Sequence, residues 1–239
     1  MLPSFDVLAQ AAAVTLRISL PTILEAARGT LTREACDVRL DSWSAELLTQ
    51  AGIDLDVKGR EHISPGEPYL VMSNHQSHYD IPVLFQALRI PLRMVAKKEI
   101  FRIPFMAGAM RAAGFIEIDR QNRSSAIKSL RAGRERLGDV VSLWIAPEGT
   151  RSRTGHLGPF KKGGFHLALD AGLQILPVAI DGTRFALPAG GLSVRRGATA
   201  HVTVAQPIDP RSYGVERIGE LVTAVRQAIA AGLPPELAV

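Results

Sequence analysis

The sequence predicts an α/β protein in which a mostly parallel central sheet is flanked by helices, with a small N-terminal helical appendage. From residue 53 onward, short apolar runs alternate with segments of helical spacing, which is the order that builds a parallel sheet covered on both faces. Some runs, such as residues 69–72, are apolar at every position, as expected of a strand buried on both sides. With 239 residues, of which 46% are apolar, the chain is long enough for one core of this kind.

The first 52 residues predict a helical segment that precedes an α/β domain of residues 53–239. Residues 1–28 are largely apolar and Pro21 interrupts them, so we expect a pair of amphipathic helices lying on a membrane surface or on the main domain. Their longest uncharged stretch, residues 7–16, is shorter than the ~20 residues that a bilayer crossing needs. The stretch has no basic leader and no clear cleavage site, so no signal peptide is expected.

A further N-terminal helix is predicted over residues 32–51, because apolar side chains recur there at steps of three and four. Gly52 is expected to end this helix. The apolar stripe consists of Cys36, Leu40, Trp43, Leu47 and Ala51.

The α/β domain begins where the apolar pattern changes to a period of two, which indicates a strand. The predicted strands are residues 53–58, 69–73, 93–96, 115–118, 140–145, 175–180 and 200–205. The predicted helices are residues 81–88, 103–113, a basic helix that starts at Ser124, residues 165–171 and residues 215–231.

The composition narrows the class of partner. The net charge of +5 suits an anionic partner such as a phosphate-bearing substrate, a membrane surface or nucleic acid. Only 5% of residues are aromatic and none interleave with Lys or Arg, so the stacking platforms of single-strand binders are missing and no nucleic-acid partner is expected. Cys36 is the single cysteine, which excludes an internal disulfide and agrees with a reducing compartment.

Acid and base side chains follow the apolar run that ends at residue 73. His75 and Asp80 lie five residues apart, and on a continuous helix they would point roughly 140° apart. Asp80 is followed by Ile81 and Pro82, which predicts a helix N-cap with proline in the first turn. His75 then lies in the strand-to-helix loop and can fold back on the carboxylate. A histidine held in this way suits a general base that takes a proton from an alcohol.

Two other interpretations of this loop stay open. It is also consistent with a capping aspartate beside two solvated histidines. Alternatively, His75, His78 and Asp80 supply two imidazole ligands and one carboxylate for a metal ion, although no further cluster of His, Cys or Asp offers an obvious completing ligand.

A second polar loop follows the predicted strand 140–145. The ends of parallel strands face one crevice, so this loop and the His75 loop are expected to meet there. Gly149 permits close backbone approach, Thr150 offers a hydroxyl, and Arg151 supplies a planar fork of donors suited to a phosphate monoester. Glu148 is expected to hold the arginine fork or to accept from a substrate hydroxyl. The alternative is a solvated charged turn.

Arg120 follows another predicted strand at the same edge and is a candidate second phosphate ligand, unless it forms a surface ion pair. The pattern Gly-x-Ser-x-Gly is absent from the sequence, so a covalent acyl-enzyme has no candidate nucleophile.

Four segments taken in order resemble the glycerolipid acyltransferases of the 1-acyl-glycerol-3-phosphate acyltransferase type. The first matches the family's H-x4-D block, the second ends in the arginine, the third is Pro-Glu-Gly-Thr-Arg-Ser, and the fourth bears a proline. They are residues 75–80, 114–120, 147–152 and 176–180. The sequence departs from the family at Ala146, where an aromatic residue is common, and in an amino terminus that is less hydrophobic than in many relatives.

The resemblance implies a catalytic pair. His75 deprotonates the free hydroxyl of a lysophospholipid and Asp80 orients the imidazole. The oxygen then attacks an acyl thioester on coenzyme A or acyl carrier protein, without a covalent enzyme intermediate.

The resemblance also implies a set of acceptor-binding residues. The phosphate and glycerol of the acceptor are held by Arg120, Glu148, Gly149, Thr150 and Arg151. Pro177 is implied to shape the floor of the site, and neither a metal nor a bound cofactor is called for.

The resemblance and the amino terminus together predict a cytoplasmic enzyme attached as a peripheral or monotopic protein to the inner face of the membrane. Two other functions stay open: acylation of a different lysolipid, such as lyso-ornithine lipid, and a non-catalytic lipid- or membrane-binding module.

Overall fold

A central sheet organises the chain, which is described by a computed structural model over residues 5–102, 106–118, 125, 128–129, 132–133, 138 and 140–238. Within these residues the sheet has seven strands in the order β1-β7-β6-β2-β5-β3-β4. All neighbours are parallel except β6 and β7, which confirms the predicted mostly parallel sheet. The strands are β1 Asp54–Lys58, β2 Tyr69–Ser73, β3 Leu92–Lys97, β4 Ile116–Ile118, β5 Ser142–Ile145, β6 Gln174–Asp181 and β7 Thr199–Val204.

Helices cover both faces of the sheet. They are α1 Phe5–Ala27, α2 Arg33–Ala51, α3 Asp80–Leu88, α4 Met106–Ala112, α5 Gly163–Ala171, α6 Thr183–Ala186 and α7 Ile218–Ala231. The predicted elements agree with these to within a few residues, except that α6 was not predicted and that the single helix α1 replaces the expected N-terminal pair. Most of the basic helix expected from Ser124 lies outside the described residues.

Alternate residues of each central strand enter different hydrophobic clusters. In β2, Tyr69 and Val71 join the cluster that contains residues of α1, α2 and α3, whereas Leu70 and Met72 join the cluster formed with α5 and α7. This follows from the period of two along a strand. The continuous apolar run at residues 69–72 therefore serves two cores, as the sequence indicated.

The amino-terminal segment differs from the expected helix pair, because α1 is one helix with Pro21 inside it. A proline removes one backbone donor, but α1 is held to α2 on both sides of this position. Trp43 Nε1 donates to Thr15 Oγ1 at 3.0 Å, and Arg39 forms an ion pair with Glu25 at 2.6 Å. These contacts with α2 hold the helix through its proline.

The length of α1 also corrects the expectation that the segment is too short to cross a bilayer. Taken as a whole, Asp6–Ala27 is long and apolar enough to span a membrane by length and composition. Core helices of soluble proteins and signal sequences have the same length and composition, so these two properties do not by themselves define a membrane span.

The helix α2 forms as predicted and joins the main core. Thr32 caps it by accepting from Ala35 N at 3.1 Å, and Gly52 ends it in the left-handed conformation. Its residues Leu40 and Leu47 belong to the same hydrophobic cluster as β2 and β6. The division of the chain at residue 52 stays a prediction.

A buried arginine fastens α2 to the sheet. Arg93 of β3 is 1% exposed, and its guanidinium lies 2.7 Å from Asp37 of α2. It also donates to the carbonyls of Ala113 and Leu92. A buried guanidinium needs a counter-ion, so Asp37 holds α2 in place above the sheet.

Replacement of Asp37 by alanine is expected to lower the free energy of unfolding by about 3 kcal/mol, because it leaves the Arg93 charge buried without its partner. Urea denaturation measures the change. The control Asp56→Ala removes an exposed carboxylate on β1 and is expected to cost less than about 0.5 kcal/mol. Equal losses in the two variants would contradict a stabilising role for the buried pair.

Candidate active site

Two loops meet at the carboxyl edge of the sheet, as expected for parallel neighbours. β2 and β5 pair in parallel, and the chain leaves their ends into the loops that carry His75 and Arg151. The backbone of Ser152 donates to the His75 carbonyl at 2.7 Å. The second loop is therefore attached directly to the first.

The His75 ring folds back on Asp80 as the spacing predicted. His75 Nδ1 lies 2.7 Å from Asp80 Oδ2, and the His75 side chain keeps 17% of its surface exposed while Asp80 has none. A carboxylate partner requires Nδ1 to donate, which leaves Nε2 as the basic nitrogen. The pair has the geometry of a general base and its orienting acid.

Asp80 does not act as the predicted N-cap. α3 begins at Asp80, and the residue before it, Tyr79, makes no side-chain capping bond. The carboxylate instead accepts from the backbone N–H groups of Gln76 and Ser77 at 2.7 and 3.0 Å. The loop turns its own amides toward the carboxylate, so Asp80 organises the segment that precedes the helix.

Sequence reasoning missed two neighbours of this pair. Thr183 Oγ1 donates to Asp80 Oδ1 at 2.5 Å. The Trp144 ring meets His75 edge to face, with centroids 5.4 Å apart and planes at 83°, while its Nε1 donates to Ser73 Oγ at 2.9 Å. Neither residue carries a local signal, since Thr183 is 103 positions from Asp80 and Trp144 lies in an ordinary buried strand.

Glu148 is buried and both of its oxygens hold backbone groups. Oε1 accepts from His75 N at 2.8 Å and Oε2 from Gly158 N at 2.9 Å. Burial raises the pKa of Glu148, against the lowering effect of these two bonds. The structure thus assigns Glu148 a bracing contact with the His75 loop. A direct part in acceptor binding stays a prediction.

Cationic and small residues lie beside the histidine. Gly149, Thr150 and Arg151 line the same cavity as His75, and so does Lys97 at the end of β3, which sequence reasoning missed. Partial desolvation and, next, the nearby charge of Arg151 lower the pKa of His78. The other expected arginine, Arg120, lies outside the described residues, so its position relative to His75 stays a prediction.

Gly149 has a backbone conformation that explains its residue type. Its φ is +75°, and a Cβ there would lie 3.0 Å from Lys161 Nζ. Any larger residue would be strained in this conformation. Glycine is therefore the residue that takes this turn without strain.

An apolar cavity is lined by His75 together with residues of the N-terminal helices. The cavity measures about 710 Å³, and its lining combines α1 and α2 with α4 and the ends of the strands. Apolar side chains such as Leu8, Ile18, Leu47 and Met110 contribute to it. His75 therefore shares one cavity with cationic and apolar side chains.

The structure does not support a metal site among the residues that it describes. No group of three or more His, Cys, Asp or Glu side chains in that part of the chain is placed to hold a metal ion. The expectation that no cofactor is needed stays a prediction.

Comparison with known proteins agrees with this geometry. A family model described as Acyltransferase matches residues 54–181, from the first residue of β1 to the last of β6. The 1-acyl-sn-glycerol-3-phosphate acyltransferase of Saccharomyces cerevisiae is 35% identical over 178 residues, covering 73% of this chain and 58% of the relative. That of Limnanthes douglasii is 36% identical over 184 residues, covering 77% and 64%.

A solved structure is similar over nearly the whole chain. The crystal structure of the 1-acyl-sn-glycerophosphate (LPA) acyltransferase PlsC from Thermotoga maritima superposes with a TM-score of 0.77 at 26% identity, covering 95% of this chain and 92% of that one.

The chain spans 58% and 64% of the length of the two curated relatives, whereas the family model covers more than half of this chain and includes both loops of the site. On that match, this chain belongs to the Acyltransferase family.

Proposed function

We propose that this protein transfers a fatty acyl group from an acyl thioester to the free hydroxyl of a lysophospholipid, converting 1-acyl-glycerol-3-phosphate to phosphatidic acid. The observation that carries the proposal is the His75–Asp80 pair at 2.7 Å, located where Arg151 and an apolar cavity meet. The names of the relatives agree with this reaction.

The chemistry needs one base and no enzyme nucleophile. His75 Nε2 takes the proton from the acceptor hydroxyl while the oxygen attacks the thioester carbonyl carbon. The carbon–sulfur bond then breaks, and the leaving thiolate recovers the proton from the imidazolium. Asp80 stabilises that imidazolium through Nδ1. The products are an ester and a free thiol, and the histidine returns to its starting state.

Acceptor recognition rests on the basic rim of the cavity, which we define as Arg151 and Lys97. The planar guanidinium of Arg151 suits two oxygens of a phosphate monoester, and Thr150 offers a hydroxyl beside it. Lys97 adds a second cation to the same cavity. We assign the phosphate of the acceptor to this rim, together with Arg120, and we assign to Glu148 the placing of the His75 loop through its bond to the His75 backbone.

The apolar cavity suits the acyl chain. Each methylene removed from water contributes about 0.8 kcal/mol to binding, and the helices α1 and α2 supply an apolar roof over this space. The acyl carrier, whether coenzyme A or acyl carrier protein, stays outside with its thioester beside His75.

We also propose that α1 rests on the cytoplasmic surface of the membrane, which would deliver lipid substrates to the cavity it covers. Leu16, Leu20 and Leu24 are about half exposed and follow one another at steps of four, so they form one outward stripe. Arg28 is exposed on the turn that follows the helix, as suits an anionic lipid surface. Arg17 is exposed on the helix itself and pairs with Glu46 of α2.

Replacement of His75 by alanine is expected to lower kcat at least about 100-fold, because it removes the base. Release of thiol from acyl-coenzyme A or acyl carrier protein in the presence of lysophosphatidate measures the rate. The control His201→Ala removes a histidine that also pairs with an aspartate, at 3.0 Å, but lies exposed on β7. Near-normal acylation by the His75 variant would contradict the proposed role of His75 as the base.

Replacement of Arg151 by alanine is expected to raise KM for lysophosphatidate about 10- to 100-fold, because a charge-assisted contact to the phosphate is lost. The control Arg153→Ala removes an exposed arginine two residues away and should leave KM unchanged. A lysolipid without a phosphate monoester, such as lyso-ornithine lipid, should lose no affinity in the Arg151 variant. If that lipid is the better acceptor of the wild type, the proposed acceptor is wrong.

Replacement of Leu16, Leu20 and Leu24 together by serine is expected to weaken binding to anionic phospholipid vesicles at least about tenfold, since apolar contact with the acyl region is lost. Vesicle sedimentation measures this. The control Val215→Ser changes a valine that is 55% exposed just before α7, on the other side of the sheet. Unchanged sedimentation of the triple variant would contradict membrane contact through α1.

A further inference from the structure

The end of β6 and the residues that follow it contact the catalytic loop at its start, its middle and its end. At the start of the loop, Asn74 Nδ2 donates to the Ile180 carbonyl at 2.7 Å and Ile180 N donates back to Asn74 Oδ1 at 2.8 Å. In the middle, Ser77 Oγ donates to the Leu187 carbonyl at 2.7 Å. Residues 180–187 therefore hydrogen-bond to Asn74 and Ser77, which lie on either side of His75 in the loop.

Thr183 makes the contact in this segment that reaches the catalytic pair. Its hydroxyl donates to Asp80 Oδ1 at 2.5 Å, and neither Thr183 nor Asp80 is exposed to solvent. The other oxygen, Oδ2, receives His75 Nδ1 and the amides of Gln76 and Ser77. Each oxygen of the carboxylate is thus held from a different part of the chain.

The backbone before Thr183 explains how the hydroxyl is fixed. Gly182 has φ +94°, and a Cβ there would lie 2.0 Å from the Thr199 carbonyl oxygen. Only glycine fits that approach, so β6 turns at once into α6. Thr183 is the first residue of α6, so no carbonyl of a preceding helical turn competes for its hydroxyl, which bonds to Asp80 Oδ1.

We propose that Thr183 is a positioning residue for the reaction, acting through Asp80. Its hydrogen bond to Oδ1 prevents the carboxylate from rotating, which keeps Oδ2 in line with His75 Nδ1 and Nε2 aimed at the acceptor hydroxyl. This inference rests on the proposed acyl transfer. Thr183 lies two residues beyond the segment that the family model matches.

Loss of the hydroxyl has a defined consequence. Oδ1 would remain buried without that donor, which is costly for a carboxylate, and the group would turn to find another. Small errors in the placement of a catalytic group cost up to about 100-fold in rate. Thr183 contacts Asp80 and is not one of the residues that line the cavity. The loss should therefore lower kcat and leave substrate binding intact.

The test compares Thr183→Val, which keeps the shape, with Thr183→Ser, which keeps the hydroxyl. Thr183→Val is expected to lower kcat for thiol release about 10- to 100-fold, with KM for both substrates within about twofold. Thr183→Ser should recover kcat to within about threefold of wild type. The matched control Thr203→Val alters a strand threonine that packs against Gly232, and it should behave as wild type.

A double-mutant cycle separates action through Asp80 from a general structural role. In the Asp80→Asn background, Thr183→Val should cause no further loss, since both changes act on the same contact. Additive losses, an unchanged kcat in Thr183→Val, or an effect on KM alone would each overturn the proposal. If Thr183→Val does not fold, the same comparison is made with Thr183→Ala.

An NMR measurement keeps this inference separate from the proposed function. The His75 Nδ1–H proton resonance, assigned by its loss in His75→Ala, is expected to move in Thr183→Val and to stay in place in Thr203→Val. An unmoved resonance would overturn the positioning role even in an active enzyme. A wild type that releases no thiol with any lysolipid refutes acyl transfer, while a moved resonance would still establish the contact through Asp80.

Discussion

The buried carboxylate of Asp80 is the constraint on which the rest of the site depends. A charged group with no exposed surface is tolerated only when its oxygens are hydrogen-bonded. Here the donors are a ring nitrogen, two amides of the same loop and a hydroxyl from beyond β6. Meeting this requirement fixes the His75 ring and the conformation of residues 75–80 together.

The parallel sheet provides the frame for that arrangement. Since β2, β5 and β6 run in one direction, the segments that follow them emerge at one edge. The first carries His75, the second carries Glu148 and Arg151, and the third carries Thr183. The backbone of His75 then joins the first two segments, since its carbonyl accepts from Ser152 N and its N–H donates to the Glu148 side chain. The backbone of His75 is thus bonded to the second segment through both its carbonyl and its N–H group.

The N-terminal helices cover this edge of the sheet and complete the cavity beside His75. The ion pair between the buried Arg93 and Asp37 fastens α2 to the sheet, and α1 is attached to α2 through Trp43 and Arg39. Together they roof the apolar cavity that reaches His75. The helix α1 also has exposed leucines. It therefore has two apolar sides, one that lines the cavity and one that faces outward from the protein.

The sequence by itself determined the elements that depend on near neighbours: the alternation of strands and helices, the apolar stripe of α2, and the short loop in which His75 meets Asp80. It also placed Arg151 at the right edge, because parallel strands share one. Tertiary structure alone decided the bond from Thr183, the ring contact of Trp144, the bracing role of Glu148 and the continuity of α1 through Pro21. Those contacts join residues far apart in the chain, and periodicity and capping rules act over a few residues only.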